Sequence, residues 1–185
     1  MIQNYFLKTK LFFTKINEFV LLGLLNSKLL NWYHKTTCYN IRIPKGSLKY
    51  PISFFENLPI PEISVENEQK IIEKVKTLLK LNNDFYQLNE NFIDILKAEF
   101  NFASTNHFSE RWFSLEWKEF CDEMAKLKSP VISRKQTEWI IIFKEEKEKL
   151  QKIFKQIKKI ENEFDNLVFQ LYHLTKLEEE IVKQK

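Results

Sequence analysis

The densest run of ionisable side chains lies at residues 144–149, where Glu145, Glu146 and Glu148 alternate with Lys144, Lys147 and Lys149. Neighbouring carboxylates can hold a divalent cation or trade a proton, but nucleases usually build such sets on a strand. Alternation of sign within a helical pattern is instead how an exposed, ion-paired face reads. His34, His107 and His173 stand apart from one another. They give neither a zinc ligand set nor a histidine-based nucleophile triad. Only two glycines occur, Gly23 and Gly46. Dinucleotide, P-loop and S-adenosylmethionine sites need several, because backbone must come close to a phosphate or cofactor. Asn57-Leu58-Pro59-Ile60-Pro61 is not the Asn/Asp-Pro-Pro-aromatic loop of a base-methylating enzyme. The expectation is therefore a chain with no catalytic residues, no cofactor and no metal, and not an enzyme by itself.

Phosphate is the chemistry the charge distribution favours. Residues 1–60 hold eight Lys or Arg against Glu18 and Glu56, a net of +6, whereas the remainder carries a net of −2. A basic end on a near-neutral frame fits a nucleic-acid-facing surface, although an ordinary solvated lysine surface has the same charge. Lys35, Arg42, Lys45 and Lys49 fall on or beside an irregular stretch and are the expected phosphate contacts. Trp32-Tyr33, Tyr39, Tyr50 and Phe54-Phe55 are interleaved with these cations. Such rings can stack on unpaired bases, but core packing is the more common fate, and it is the one expected of Phe54 and Phe55.

Two long helices must position all of this. From Glu66 to about Phe100, apolar residues recur at Ile71, Val75, Leu78, Phe85, Leu88, Phe92 and Leu96. From Gln136 to about Leu171 they recur at Trp139, Phe143, Leu150, Phe154, Ile157, Ile160, Phe164, Val168 and Leu171. Steps of three and four place each set on one helical face, so an antiparallel pair sharing a seam is the simplest packing. Ser64 is placed to cap the first helix, and Ser133 with Gln136 and Thr175 with Glu178 have capping-box spacing. A short amphipathic helix is expected over about 115–127, capped by Ser114 with Trp117, Phe120 and Met124 on one face. A final helix is expected over about 176–183. Before Ser64, residues 16–35 read as one nearly all-apolar helix, in which Gly23 and Ser27 would allow close backbone approach. Tyr5–Thr14, Ile41–Ile43 and Ile52–Ile60 read as short strands. The fold expected is mainly α, a long helical pair over 64–185 joined to a small basic α+β part over 1–63.

Cys38 and Cys121 are far apart with no Cys-x-x-Cys, so a reduced, cytoplasmic setting is the default. The apolar run Phe19–Leu25 is far too short to span a membrane. Lys15 and Glu18 interrupt the basic, apolar N-terminus, which argues against a signal peptide.

Several stretches in order resemble one family. The run from Leu21 to Asn31, LLGLLNSKLLN, and the run Phe54-Phe55-Glu56-Asn57-Leu58-Pro59-Ile60-Pro61 are similar to the TaqI-like C-terminal specificity domain. That domain occurs in adenine-specific DNA methyltransferases of type IIG restriction–modification systems. A similar leucine- and proline-rich lead-in to a long helix occurs in type I specificity subunits. Ser133 to Trp139, Glu163 to Tyr172, Leu174-Thr175 and Glu178 to Val182 resemble the way many of these enzymes end. The resemblance implies the tail of a target-recognition domain followed by a helical spacer. It also implies weak, sequence-indifferent contact with double-stranded DNA, and a methyltransferase and recognition portion carried elsewhere. Because those portions are missing, the chain reads as the tail of a truncated or split gene, with a separate small subunit as the other possibility. A reading from another class, a helical module for protein interaction or self-association, fits the same helices.

Overall fold

The computed structural model describes residues 16–37, 55, 57–101, 106–128, 131 and 135–184. Every regular element among them is helical. In order they are α1 (Glu18–Asn26), α2 (Lys28–Thr37), α3 (Val65–Phe100), α4 (Asn106–Ser109), a 3₁₀ turn (Trp112–Ser114), α5 (Trp117–Lys126), α6 (Gln136–Leu171) and α7 (Lys176–Lys183). The mainly α fold and its pair of long helices, α3 and α6, stand as expected. Tyr5–Thr14 and Ile41–Ile43 lie outside the described residues, as does Ser133. Of the strand expected over Ile52–Ile60, the described part is not strand. Leu58 N donates to Phe55 O at 3.2 Å in a turn, and Pro59 and Pro61 supply no amide for a ladder.

The chain divides into two compact units, residues 1–77 with 160–185, and residues 78–159. In the first, the single helix expected over 16–35 is two. Asn17 caps α1 by accepting from Phe19 N at 2.9 Å. Ser27 then adopts an extended conformation (φ −67°, ψ 152°) and ends that helix. The buried Ser27 hydroxyl donates to Leu24 O at 2.7 Å and accepts from Leu30 N at 3.3 Å. Lys28 N donates to Asp165 Oδ1 at 2.9 Å, so a carboxylate from α6 caps the start of α2. Lys28 Nζ also lies 3.1 Å from Asp165 Oδ2. Asp165 is almost wholly buried, and these two donors compensate its charge.

Gly23 faces the same junction. A Cβ built there would lie 2.7 Å from Val75 Cγ2 and 2.8 Å from the Phe164 ring. Close backbone approach is therefore the reason for the glycine. Val20, Leu24, Leu29, Leu30, Leu58, Ile71, Val75, Phe164, Val168, Phe169 and Val182 form one core around it. Ser64 Oγ accepts from Asn67 N at 3.3 Å, opening α3. The other end of this unit is held by Thr175 and Glu178, which cap α7 reciprocally. Tyr172 donates to Pro59 O at 2.5 Å.

The second unit is built on aromatic rings. Phe92 meets Trp112 at 4.0 Å between centroids, and Phe120 meets Phe143 at 4.7 Å. Phe85 lies 6.1 Å from Phe154, while Phe100 lies 4.9 Å from Trp139. Fifteen residues forward on α3 thus match fifteen back on α6, which is an antiparallel register. Trp112 Nε1 donates to the buried Asn89 Oδ1 at 2.8 Å, satisfying the indole inside the core. Ser114 does not cap α5. Its hydroxyl turns back to donate to Arg111 O at 2.6 Å. Glu116 is the cap, in a reciprocal box with Glu119. Lys147 crosses from α6 to donate to Leu115 O at 2.7 Å and Glu116 Oε1 at 2.9 Å.

Candidate nucleic-acid interface

Lys35 is exposed in the last turn of α2, beside the buried His34. Arg42, Lys45 and Lys49 lie outside the described residues, so no distance relates them to Lys35. The structure does fix both ends of the segment that carries them. It leaves α2 at Thr37, and α2 is capped by Asp165 and lies against α7. It returns at Leu58 and Pro59, both buried, with Pro59 O held by Tyr172. Burial raises the Tyr172 phenol well above the usual tyrosine range, so this hydroxyl stays a neutral donor.

Among the described residues no three His, Cys, Asp or Glu side chains converge to hold a metal ion. Glu146 is tied to Lys149 at 2.6 Å, and that contact raises the Lys149 ammonium. Glu145 and Glu148 are exposed. His107 Nε2 sits 3.0 Å from Arg111 Nη1, and His173 follows α6 in a left-handed conformation (φ 52°). Cys121 is half-buried on α5, and burial followed by the neighbouring Asp122 charge raises its thiol, the opposite of an activated nucleophile. A cleft of about 540 Å³ opens beside α3, lined by Tyr86, Asn89, Glu90, Lys97 and Glu110 among others. Its charges are mixed. No described helix is long and apolar enough to cross a membrane.

One feature escaped the sequence reading. After Glu148, α6 changes character: residues 149–160 carry five lysines and no acid. The alternating Glu and Lys just before them drew attention to ion pairing, whereas the signal was the carboxylate-free run that follows. Lys152, Lys155 and Lys159 are exposed on it.

No curated protein and no solved structure matches the chain. One family model does, over residues 64–168, from the Ser64 cap into the last turn of α6. With more than half of its length matched, the chain belongs to the family described as domain of unknown function (DUF8810).

Proposed function

We propose that this chain is a non-catalytic, DNA-backbone-binding module in which the α3–α6 pair is a spacer and the N-terminal part carries phosphate contacts. The reading takes its parent from the resemblance to type IIG restriction–modification enzymes, in which a methyltransferase and recognition portion on another chain would do the chemistry in the cytoplasm. The observation that carries it is the anchored basic segment. Lys35 stands in the last turn of α2, and Arg42, Lys45 and Lys49 follow it in the sequence before Pro59, whose carbonyl Tyr172 holds, with Glu56 the only acid among residues 35–58. Lysine and arginine held on such a stretch neutralise phosphates and release counterions. Contacts of that kind position a protein on a duplex without reading sequence.

The test is fluorescence anisotropy of a random-sequence duplex titrated with the full chain at several salt concentrations. Four phosphate contacts give a slope of log K against log salt of about −3.6. Absence of binding at low salt overturns the reading. Transfer of a labelled methyl group from S-adenosylmethionine to DNA by this chain alone would overturn its non-catalytic part.

A second reading, self-association through the helical pair, is favoured by exposed apolar side chains in the 78–159 unit. Ile95, Ile141 and Ile142 are 52%, 54% and 37% exposed near the Phe100–Trp139 end. A single monomeric species in sedimentation velocity at all concentrations would dismiss it.

A further inference from the structure

We infer that α6 carries a second phosphate-binding surface, a stripe of Lys152, Lys155 and Lys159 that lies along a nucleic-acid backbone. The inference rests on the DNA-binding reading above and adds to it a site inside the family-matched residues. The three lysines are exposed, and among the described residues none has an ion-pair partner. Nearby lysines are otherwise engaged: Lys147 with Glu116, and Lys149 with Glu146.

Helix geometry puts the three on one line. At 3.6 residues per turn they fall within about 60° of arc, and they span about 10 Å of axis at roughly 1.5 Å per residue. Leu150 and Ile157, both buried, lie about half a turn away, so the stripe points from the core. Phe113 and Gln151 occupy the α6 flank where the 3₁₀ turn packs, with Gln151 donating to Phe113 O at 3.0 Å. The stripe is left uncovered by that turn.

The surroundings reinforce the charge. Phe85 faces Phe154, so residues 78–89 of α3 run beside this part of α6. They carry Lys80 and the single acid Asp84. Leaving out Lys149, which Glu146 neutralises, residues 150–159 bring this to five lysines against one carboxylate. Asn82, Asn83 and Gln156 are exposed among them and add amide donors. On α6 itself the flanking carboxylates are Glu148 and Glu161.

A duplex fits this surface better than other anionic partners. Four consecutive phosphates of one strand, three steps of roughly 3.4 Å, span about 10 Å along the duplex axis. That equals the span of the stripe, and lysine stems absorb the remaining mismatch. A membrane surface would need apolar side chains on the same face to enter the lipid, and the stripe has none between its lysines. An acidic polypeptide is the remaining competitor.

The experiment compares the full chain with three variants: Lys152→Gln/Lys155→Gln/Lys159→Gln, a charge-matched control at the exposed Lys118, Lys128 and Lys176, and Lys35→Gln/Arg42→Gln/Lys45→Gln/Lys49→Gln. Far-UV circular dichroism verifies that each folds. Anisotropy of the random-sequence duplex gives the salt slope, and poly-L-glutamate is titrated in parallel. The stripe variant is expected to flatten the slope by about 2.7, at roughly 0.9 per phosphate, with the control shifting it by less than about 1. A stripe variant that behaves like the control overturns the inference and leaves the N-terminal reading standing. Loss confined to the stripe variant, with the N-terminal variant binding as the unaltered chain, supports the stripe and overturns the N-terminal site. No binding by the unaltered chain overturns both. Poly-L-glutamate bound as tightly as duplex at equal salt, and released by the stripe variant, overturns the inference in favour of an acidic polypeptide.

Discussion

Replacing Gly23 by alanine separates two accounts of a mid-helix glycine by sign. If the position were open, alanine would stabilise α1 by about 0.8–1.0 kcal/mol through helix propensity. The geometry says otherwise. The new methyl would sit 2.7 Å from Val75 Cγ2 and 2.8 Å from Phe164 Cζ, both on side chains that are 4% exposed. Val75 is β-branched and stiff, and Phe164 is held in the same core, so neither yields cheaply. Overpacking of this kind costs about 1–3 kcal/mol. Setting the propensity gain against it leaves a net loss of up to about 2 kcal/mol. Urea unfolding followed at 222 nm would read the difference, and thermal unfolding would show a drop of about 2–4 °C per kcal/mol. A double-mutant cycle isolates the cause. Val75→Ala alone should cost about 2 kcal/mol from lost burial and a small cavity. In Gly23→Ala/Val75→Ala the new methyl occupies the vacated space, so the pair should be less destabilised than the sum by about 1 kcal/mol or more. A Gly23→Ala protein more stable than the parent, or a strictly additive pair, would refute the close-approach explanation.

Three further outcomes follow from buried polar contacts. Asp165→Ala should cost about 1–3 kcal/mol, combining a lost helix cap with a half-exposed ion pair, and Asp165→Asn should cost less because an acceptor for Lys28 N survives; equal losses in urea would discount the cap. Asn89→Ala strands the indole N–H of Trp112 in the core and should cost about 1–3 kcal/mol, whereas an unchanged unfolding midpoint would mean the bond is dispensable. For Tyr172 the folded pKa lies above the ordinary 10.0, so its contribution is complete below that value and lost as pH rises through the folded value. Tyr172→Phe should therefore be weaker at neutral pH by about 0.5–1.5 kcal/mol and lose less stability in alkali; parallel stability curves above pH 10 would contradict this.

Much of the frame could be read from residue spacing, and what could not has a physical reason in each case. The apolar recurrence from Ile71 to Leu96 and from Trp139 to Leu171 is a property of each helix alone, so both long helices were legible. Ser64 and Thr175 cap by bonds three residues away, which a linear reading can see. The break at Ser27 was invisible because one of its causes, Asp165, lies 137 residues beyond Lys28, whose amide it caps. The start of α5 was misassigned for a subtler reason. Ser114 has the better capping residue type, but Lys147 of α6 supports Glu116 and draws that end of the helix two residues later. The lysine stripe was written in the sequence as an absence of acids, which pattern rules keyed to present residues pass over. Arg42, Lys45 and Lys49 belong to a stretch whose charge was plain and whose placement lies outside the described residues.

The composition of the first compact unit bears on how the chain comes into being. Its partner unit is made from one uninterrupted run, residues 78–159, whereas this one joins residues 1–77 to residues 160–185. During synthesis, α1 and α2 emerge long before the carboxylate that caps their junction, and Leu24 and Leu30 emerge before Phe164 and Val168 exist to cover them. Those apolar helices must wait, exposed or shielded by something else, until the last turns of α6 leave the ribosome. The continuous unit has every one of its own residues once Lys159 is made, six residues ahead of Asp165. A chain cut short ahead of Asp165 would thus be left with an unfinished first unit, and its most apolar helices would be the ones without a place to go.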